Sequence, residues 1–142
     1  MPFHCFDFDN SYLRLPSAFY TMTKPEFVHA PEPIIVNHEL ASSLGIGLEN
    51  LDNSELAAVL SGNKLLKGTT PFSQAYAGHQ YAHFTMLGDG RAHILGEHVT
   101  PDNVRVDVQL KGSGKTPYSR GGDGRAPLGP MLREYIISEA MH

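Results

Sequence analysis

Residues 104–142 read VRVDVQLKGSGKTPYSRGGDGRAPLGPMLREYIISEAMH, and this stretch decides the fold. From Val104 to Lys111 apolar and polar residues alternate. Val104, Val106, Val108 and Leu110 fall on one side, and Arg105, Asp107, Gln109 and Lys111 on the other. That period of two is the mark of a strand with one buried face. A loop of about seventeen residues, Gly112–Leu128, comes next, and loops of that length in compact domains are usually functional or disordered. Pro130 fits the first turn of a closing helix. Met131, Tyr135, Ser138 and His142 share one face of that helix, and Leu132, Ile136 and Glu139 another.

Working back from Val104, Thr100-Pro101-Asp102-Asn103 is a turn and Ala92–Val99 a second strand, so the two strands form an antiparallel hairpin. Leu87-Gly88-Asp89-Gly90-Arg91 is a turn with the Asp-Gly hairpin signal. Residues 72–86, FSQAYAGHQYAHFTM, are expected to be helical for at least part of their length, although Gly78 weakens a helix. Residues 61–71 are a connector. Two short helices precede it. Asn37 caps the first, with Leu40, Ala41 and Leu44 at helical spacing and Gly45 as its stop. Asp52 or Ser54 caps the second, with Leu56, Val59 and Leu60 as its apolar face and Gly62 at its end. Residues 1–36 carry many aromatics (Phe3, Phe6, Phe8, Tyr12, Phe19, Tyr20, Phe27) with Pro16, Pro25, Pro31 and Pro33 among them. The prolines forbid one long helix and the apolar content argues against a disordered tail. The segment is expected to be an arm packed on the fold, with extended pieces near Ile34–Val36.

A length of 142 residues allows one ordinary domain, and 41% hydrophobic with 18% charged residues is a globular composition. Fourteen glycines and ten prolines indicate many tight turns. A net charge of −4 gives no electrostatic case for nucleic acid as a partner. Cys5 is the only cysteine, so no intrachain disulfide can form and a reducing compartment is expected. The N-terminus has no signal-peptide pattern, and no apolar run is long enough for a transmembrane helix. The expectation is a cytoplasmic protein with no membrane partner.

Several constellations bear on chemistry. Gly112-Ser113-Gly114-Lys115-Thr116 looks like the tail of a P-loop, but Gln109 stands where the first glycine is required and Pro117 where the helix should begin. A better match is a strand of the form V-x-x-K, Val108–Lys111, whose lysine reaches nucleotide phosphates while a glutamate on the next helix orients it. Glu134 is the first candidate for that partner and Glu139 the second. The alternative is an ordinary surface lysine. The word GDGR occurs twice, at 88–91 and 122–125. Its glycines allow close backbone approach to phosphate and its arginine offers bidentate contact, against the alternative of two common Asp-Gly turns. His79 and His83 have metal-ligand spacing on a helix, with nothing to complete a site. Ser119 has no recognisable base or oxyanion partner, which argues against a hydrolase.

Taken together, YAGHQY (76–81), LGDGR (87–91), QLKGSG (109–114), TPYSR (116–120), GDGR (122–125), LREY (132–135) and SEAMH (138–142) resemble the selenoprotein O (YdiU-type) family. The resemblance spans essentially the whole chain and is densest from residue 71. It implies a kinase-like fold that binds ATP in a flipped orientation and transfers AMP to Ser, Thr or Tyr hydroxyls of protein substrates. It maps Lys111 to the family's nucleotide-contacting lysine and Glu134 to its ion-pair glutamate, the two catalytic assignments. It maps Gly88, Gly90, Arg91, Asp123 and Gly124 to ATP-contacting positions. Lys115 departs from the arginine common at that place, keeping charge and losing the bidentate fork. The resemblance also implies that the catalytic aspartate, the Mg²⁺ ligands, two further arginines and a C-terminal redox motif lie beyond these residues. The chain is then the N-terminal third or less of a longer protein, inactive alone.

The fold expectation is α+β: an arm with short helices over residues 1–70, and a partial kinase-like small lobe over 71–142 built on the 92–111 hairpin and the closing helix. An ordinary protein kinase and a non-catalytic ATP-binding pseudokinase module are the rival readings.

Overall fold

The computed structural model describes residues 5–80 and 82–142, so Phe3 and Tyr81 lie outside the described residues. The architecture is α+β. Strands β1 (Tyr20–Met22), β2 (Phe72–Gln80), β3 (His83–Gly88), β4 (Ala92–Val99) and β5 (Arg105–Lys111) form an antiparallel five-stranded sheet. Its order is β1-β2-β4-β5, with β3 paired to the far part of β2. Helices α1 (His38–Ser43) and α2 (Asn53–Leu60) precede β2, and α3 (Leu128–Met141) follows β5.

The expected hairpin forms. Ala92 pairs with Lys111 at one end and Val99 with Arg105 at the other, with a bulge between Ile94 and Gly96. Val106, Val108 and Leu110 are the more buried residues of β5, as the alternation requires. Val108 packs on a core of Cys5, Phe6, Ala41, Leu48, Leu56 and Val59. The arm thus supplies part of the core, and burying one such aromatic side chain stabilises by about 1.5–3 kcal/mol. Both helix caps are present. The Asn37 side chain accepts the Leu40 amide at 2.9 Å, and Asp52, rather than Ser54, accepts the Glu55 amide at 2.8 Å. Gly45 and Gly62 follow the two helices at φ +71° and +82°. Those are left-handed conformations in which most other residues are strained.

Three expectations are corrected. The described residues of 72–86 are not helical; they form most of the β2–β3 hairpin, in which His79 pairs with Phe84 and Gln80 with His83. Phe72 and Ser73 at its start are fully buried against the rest of the sheet, and Tyr12 stacks on Phe72 at 5.5 Å. Tertiary pairing overrides a weak helical pattern that Gly78 already undermines. His79 and His83 therefore sit on facing strands, not one helical turn apart. The Asp-Gly turn joins β3 to β4 without making them a hairpin, because both strands pair with β2 instead. Residues 34–36 form no strand; the arm's strand is Tyr20–Met22, and Phe8 adds an isolated bridge to His98.

Buried Glu97 on β4 anchors the arm. Its carboxylate accepts Ser11 Oγ at 2.7 Å and the Tyr12 amide at 2.6 Å, while its own amide donates to Asn10 Oδ1 at 2.9 Å. Hydrogen bonds to a charged partner are worth about 1.5–3 kcal/mol each, and unpaired donors cost more when buried. In Glu97→Ala, hydrogen-exchange mass spectrometry is expected to show the 9–14 segment exchanging at least ~10-fold faster, with α2 little changed. Unchanged protection of that segment would show that the arm is held by packing alone.

Candidate functional site

A cleft of about 690 Å³ opens between the β3–β4 turn, the end of β5 and the loop 112–127. That volume lies in the range of small-ligand sites. Its wall combines Gln74 and Tyr76 of β2, the turn Gly88–Arg91, Gln109 and Lys111 of β5, and loop residues from Tyr118 to Arg125. Gly88, Gly90, Arg91, Lys111, Asp123 and Gly124 all line it.

Lys111 ends β5 and Glu134 lies nearly two turns into α3. Lys111 Nζ donates to both carboxylate oxygens of Glu134, at 2.7 and 2.6 Å. Glu139 instead accepts from Asn37 Nδ2 at 2.8 Å, which resolves the choice between the two glutamates. The hydrogen bond from Lys111 holds the Glu134 carboxyl below its ordinary value, and the Lys111 and Arg91 charges act in the same direction. A depressed carboxyl pKa means the pair is intact above the unfolded-state value and lost as pH falls through the folded-state value.

Three arginines complete the cationic lining. Arg125 is committed: its guanidinium donates to Glu26 Oε2 at 3.1 Å and to the Phe27 carbonyl. Glu26 also accepts the Lys115 amide at 3.2 Å and its amide donates to the Ser113 carbonyl, tying the arm to the loop. The side chains of Arg91 and Arg120 make no hydrogen bond or ion pair among the described residues.

The glycines of the cleft wall pack closely against the protein's own loop. A Cβ on Gly88 would meet the Tyr118 ring at 2.3 Å, and one on Gly90 would meet the Tyr118 carbonyl at 2.8 Å. Gly124, at φ +70°, lies so close to Gly114 that a Cβ would meet its carbonyl at 2.0 Å. These glycines let the loop lie on the strands. The Gly90 amide donates to the Gly88 carbonyl and the Asp89 amide to the Gln74 carbonyl, so neither is free to donate to a ligand. Asp123 accepts the Arg125 amide at 2.9 Å. Two hydroxyls fasten the loop to the turn: Thr116 Oγ1 donates to the Asp89 carbonyl and Ser119 Oγ to the Gly90 carbonyl, both at 2.6 Å. The role of Ser119 was invisible while it was weighed only as a nucleophile. Tyr76 and Gln74 were missed because the helical reading of 72–86 lost their direction.

Among the described residues, no group of three or more His, Cys, Asp or Glu side chains could hold a metal ion. The acids of the cleft are engaged with the backbone, so the residues present do not fit a Mg²⁺ site. No helix among them is long and apolar enough to cross a membrane.

With its lysine–glutamate pair at a cation-lined cleft, this chain has relatives that are named protein nucleotidyltransferases. Protein nucleotidyltransferase YdiU of Nitrosococcus oceani is 62% identical over 135 residues, covering 95% of this chain and 27% of the relative. The protein of the same name from Anoxybacillus flavithermus is 62% identical over 136 residues, covering 96% of this chain and 28% of the relative. That from Pelagibacter ubique is 58% identical over 135 residues, covering 95% and 28%. The family model described as protein adenylyltransferase SelO matches residues 2–142, and the chain belongs to that family. The chain spans little more than a quarter of the length of these relatives.

Buried Asp89 accepts the Gln74 amide at 2.9 Å, yet its carboxyl is raised because burial disfavours the charge more than this bond favours it. A raised carboxyl pKa contributes stability that is full below the unfolded-state value and lost as pH rises through the folded-state value. Asp89→Asn keeps an acceptor and removes the titration. Its urea midpoint relative to wild type should therefore climb as pH goes from about 3.5 to 7. A pH-independent difference between the two proteins would mean that Asp89 is not destabilised by its burial.

Proposed function

We propose that these residues form part of the ATP site of a protein adenylyltransferase. The reading rests on one observation above all, the bidentate Lys111–Glu134 pair at the wall of the cleft. A lysine held by a carboxylate has a fixed direction, as kinase-like small lobes require of the lysine that meets nucleotide phosphates. The antiparallel sheet with α3 behind it supports such a lobe over residues 71–142, with residues 1–70 as a packed arm. Membership of the SelO family supports ATP as the nucleotide and protein hydroxyls of Ser, Thr or Tyr as acceptors. A cytoplasmic location goes with the same reading.

In that reaction a substrate hydroxyl attacks the α-phosphorus of ATP. The new O–P bond forms as the bond to the bridging oxygen breaks, pyrophosphate leaves, and the hydroxyl proton passes to a base. Lys111, aimed by Glu134, neutralises phosphate charge, and Arg91 adds a second cation on the same wall. The Gly88, Gly90, Asp123 and Gly124 backbone shapes the wall against which the nucleotide lies. The base and the Mg²⁺ ligands are assigned to the further length that the relatives possess, so the 142 residues alone are expected to transfer nothing.

The test uses the full-length protein with Mg²⁺ and ATP labelled at the α- or the γ-phosphate. Protein-bound label from the α-phosphate only, falling by at least ~100-fold in Lys111→Ala, is the expected result. Label from the γ-phosphate would make the protein a conventional kinase. ATP binding with no label from either position would make it a non-catalytic nucleotide-binding module.

A further inference from the structure

The cleft contains a cation that the pairing pattern leaves unexplained. Lys111 is held by Glu134, and Arg125 by Glu26 and the Phe27 carbonyl. Arg91 lies near enough to Glu134 to lower its carboxyl. Arg120 lines the cleft from the loop, exposed, with no acceptor for its guanidinium among the described residues. Its charge acts on the Tyr76 phenol, which lines the same cleft.

Its backbone sharpens the point. Arg120 sits at φ +50°, the left-handed region, in a chain where Gly121 directly follows. A side chain with a Cβ is strained there, and non-glycine residues kept in such a conformation cluster at functional sites. The strain is held in place by the turn around it. Ser119 Oγ donates to the Gly90 carbonyl and accepts the Thr116 amide, the Ser119 amide donates to the Thr116 carbonyl, and the Gly122 amide donates to the Ser119 carbonyl. A glycine would fit this backbone better and would abolish the guanidinium. The fold therefore keeps an unfavourable residue where its charge faces the cleft.

We propose that Arg120 is a direct polyphosphate contact of this site, a bidentate guanidinium on the loop side that meets the nucleotide opposite Lys111. This rests on the ATP reading given above and adds a residue to it. Guanidinium matches phosphate oxygens with two parallel hydrogen bonds, which an ammonium cannot do. With no carboxylate partner to displace among the described residues, Arg120 exchanges water for phosphate on binding, so its charge is available to the ligand.

The experiment measures ATP and adenosine affinity by calorimetry in the full-length protein, comparing wild type, Arg120→Gly, Arg120→Lys and Lys111→Ala, with Tm recorded for each. Arg120→Gly separates contact from folding, because it relieves the backbone strain while removing the cation. The expected result is an unchanged or higher Tm, ATP Kd raised about tenfold or more, adenosine Kd unchanged, and partial recovery in Arg120→Lys. ATP affinity that is unaltered in Arg120→Gly but lost in Lys111→Ala would overturn this proposal and leave the ATP reading standing. Equal weakening of ATP and adenosine would also overturn it, making Arg120 a structural element of the loop. Wild type that binds no ATP would remove both.

Discussion

Everything near the cleft depends on β4 being buried on both faces while carrying three polar side chains. His93 is fully buried, and its Nδ1 meets Ser113 Oγ at 2.7 Å, at the base of the loop. Glu97 takes the Ser11 and Tyr12 donors of the arm. His98 accepts the Asp7 amide at Nδ1 and donates from Nε2 to the Leu44 carbonyl just after α1. A buried polar group without a partner is costly, so each of these side chains dictates where another segment must lie. One strand thereby positions the arm, the first helix and the glycine-rich loop. Burial pushes the His93 imidazole down, which keeps it neutral in this interior.

This explains which parts of the molecule could be read from the chain. The β5 alternation, both helix caps, the glycine stops and the pairing of Lys111 with Glu134 are local signals, and all are present in the structure. The interior of β4 is different. In AHILGEHV the polar residues suggest an outward face, whereas all three are buried: partners distant in sequence satisfy Glu97 and His98, and His93 is paired through Nδ1 with Ser113 while its Nε2 has no partner among the described residues. No period carries that information. The error at 72–86 has the same origin. Alanines and regularly placed aromatics can suit either element, and the deciding facts are the burial of Phe72 beneath Tyr12 and Tyr20 and the long pairing of β2 with β3.

The two GDGR words illustrate a second limit. Residues of both words line one cleft. The glycines also meet a need inside the protein itself. At 88, 90 and 124 the absent side chains make room for Tyr118 and Gly114 of the protein itself. Close approach is the need in both accounts, but here it brings the loop onto the strands, and the loop then brings its arginines to the cleft. Glycine identity marks a contact without saying whether the other party is ligand or chain.

The Lys111–Glu134 pair is half-exposed on both sides, with side-chain exposures of 39% and 49%. Pairs so placed contribute little to stability because solvent screens them and two long side chains must be ordered. Its geometry is nevertheless bidentate, and α3 has no fully buried residue to fix its position by packing. The helix is tied to the rest by this pair and by Glu139 with Asn37. What the pair contributes is direction rather than strength: both carboxylate oxygens of Glu134 accept from one ammonium, so the orientation of Lys111 at the cleft is set from α3 although the pair itself is screened by solvent.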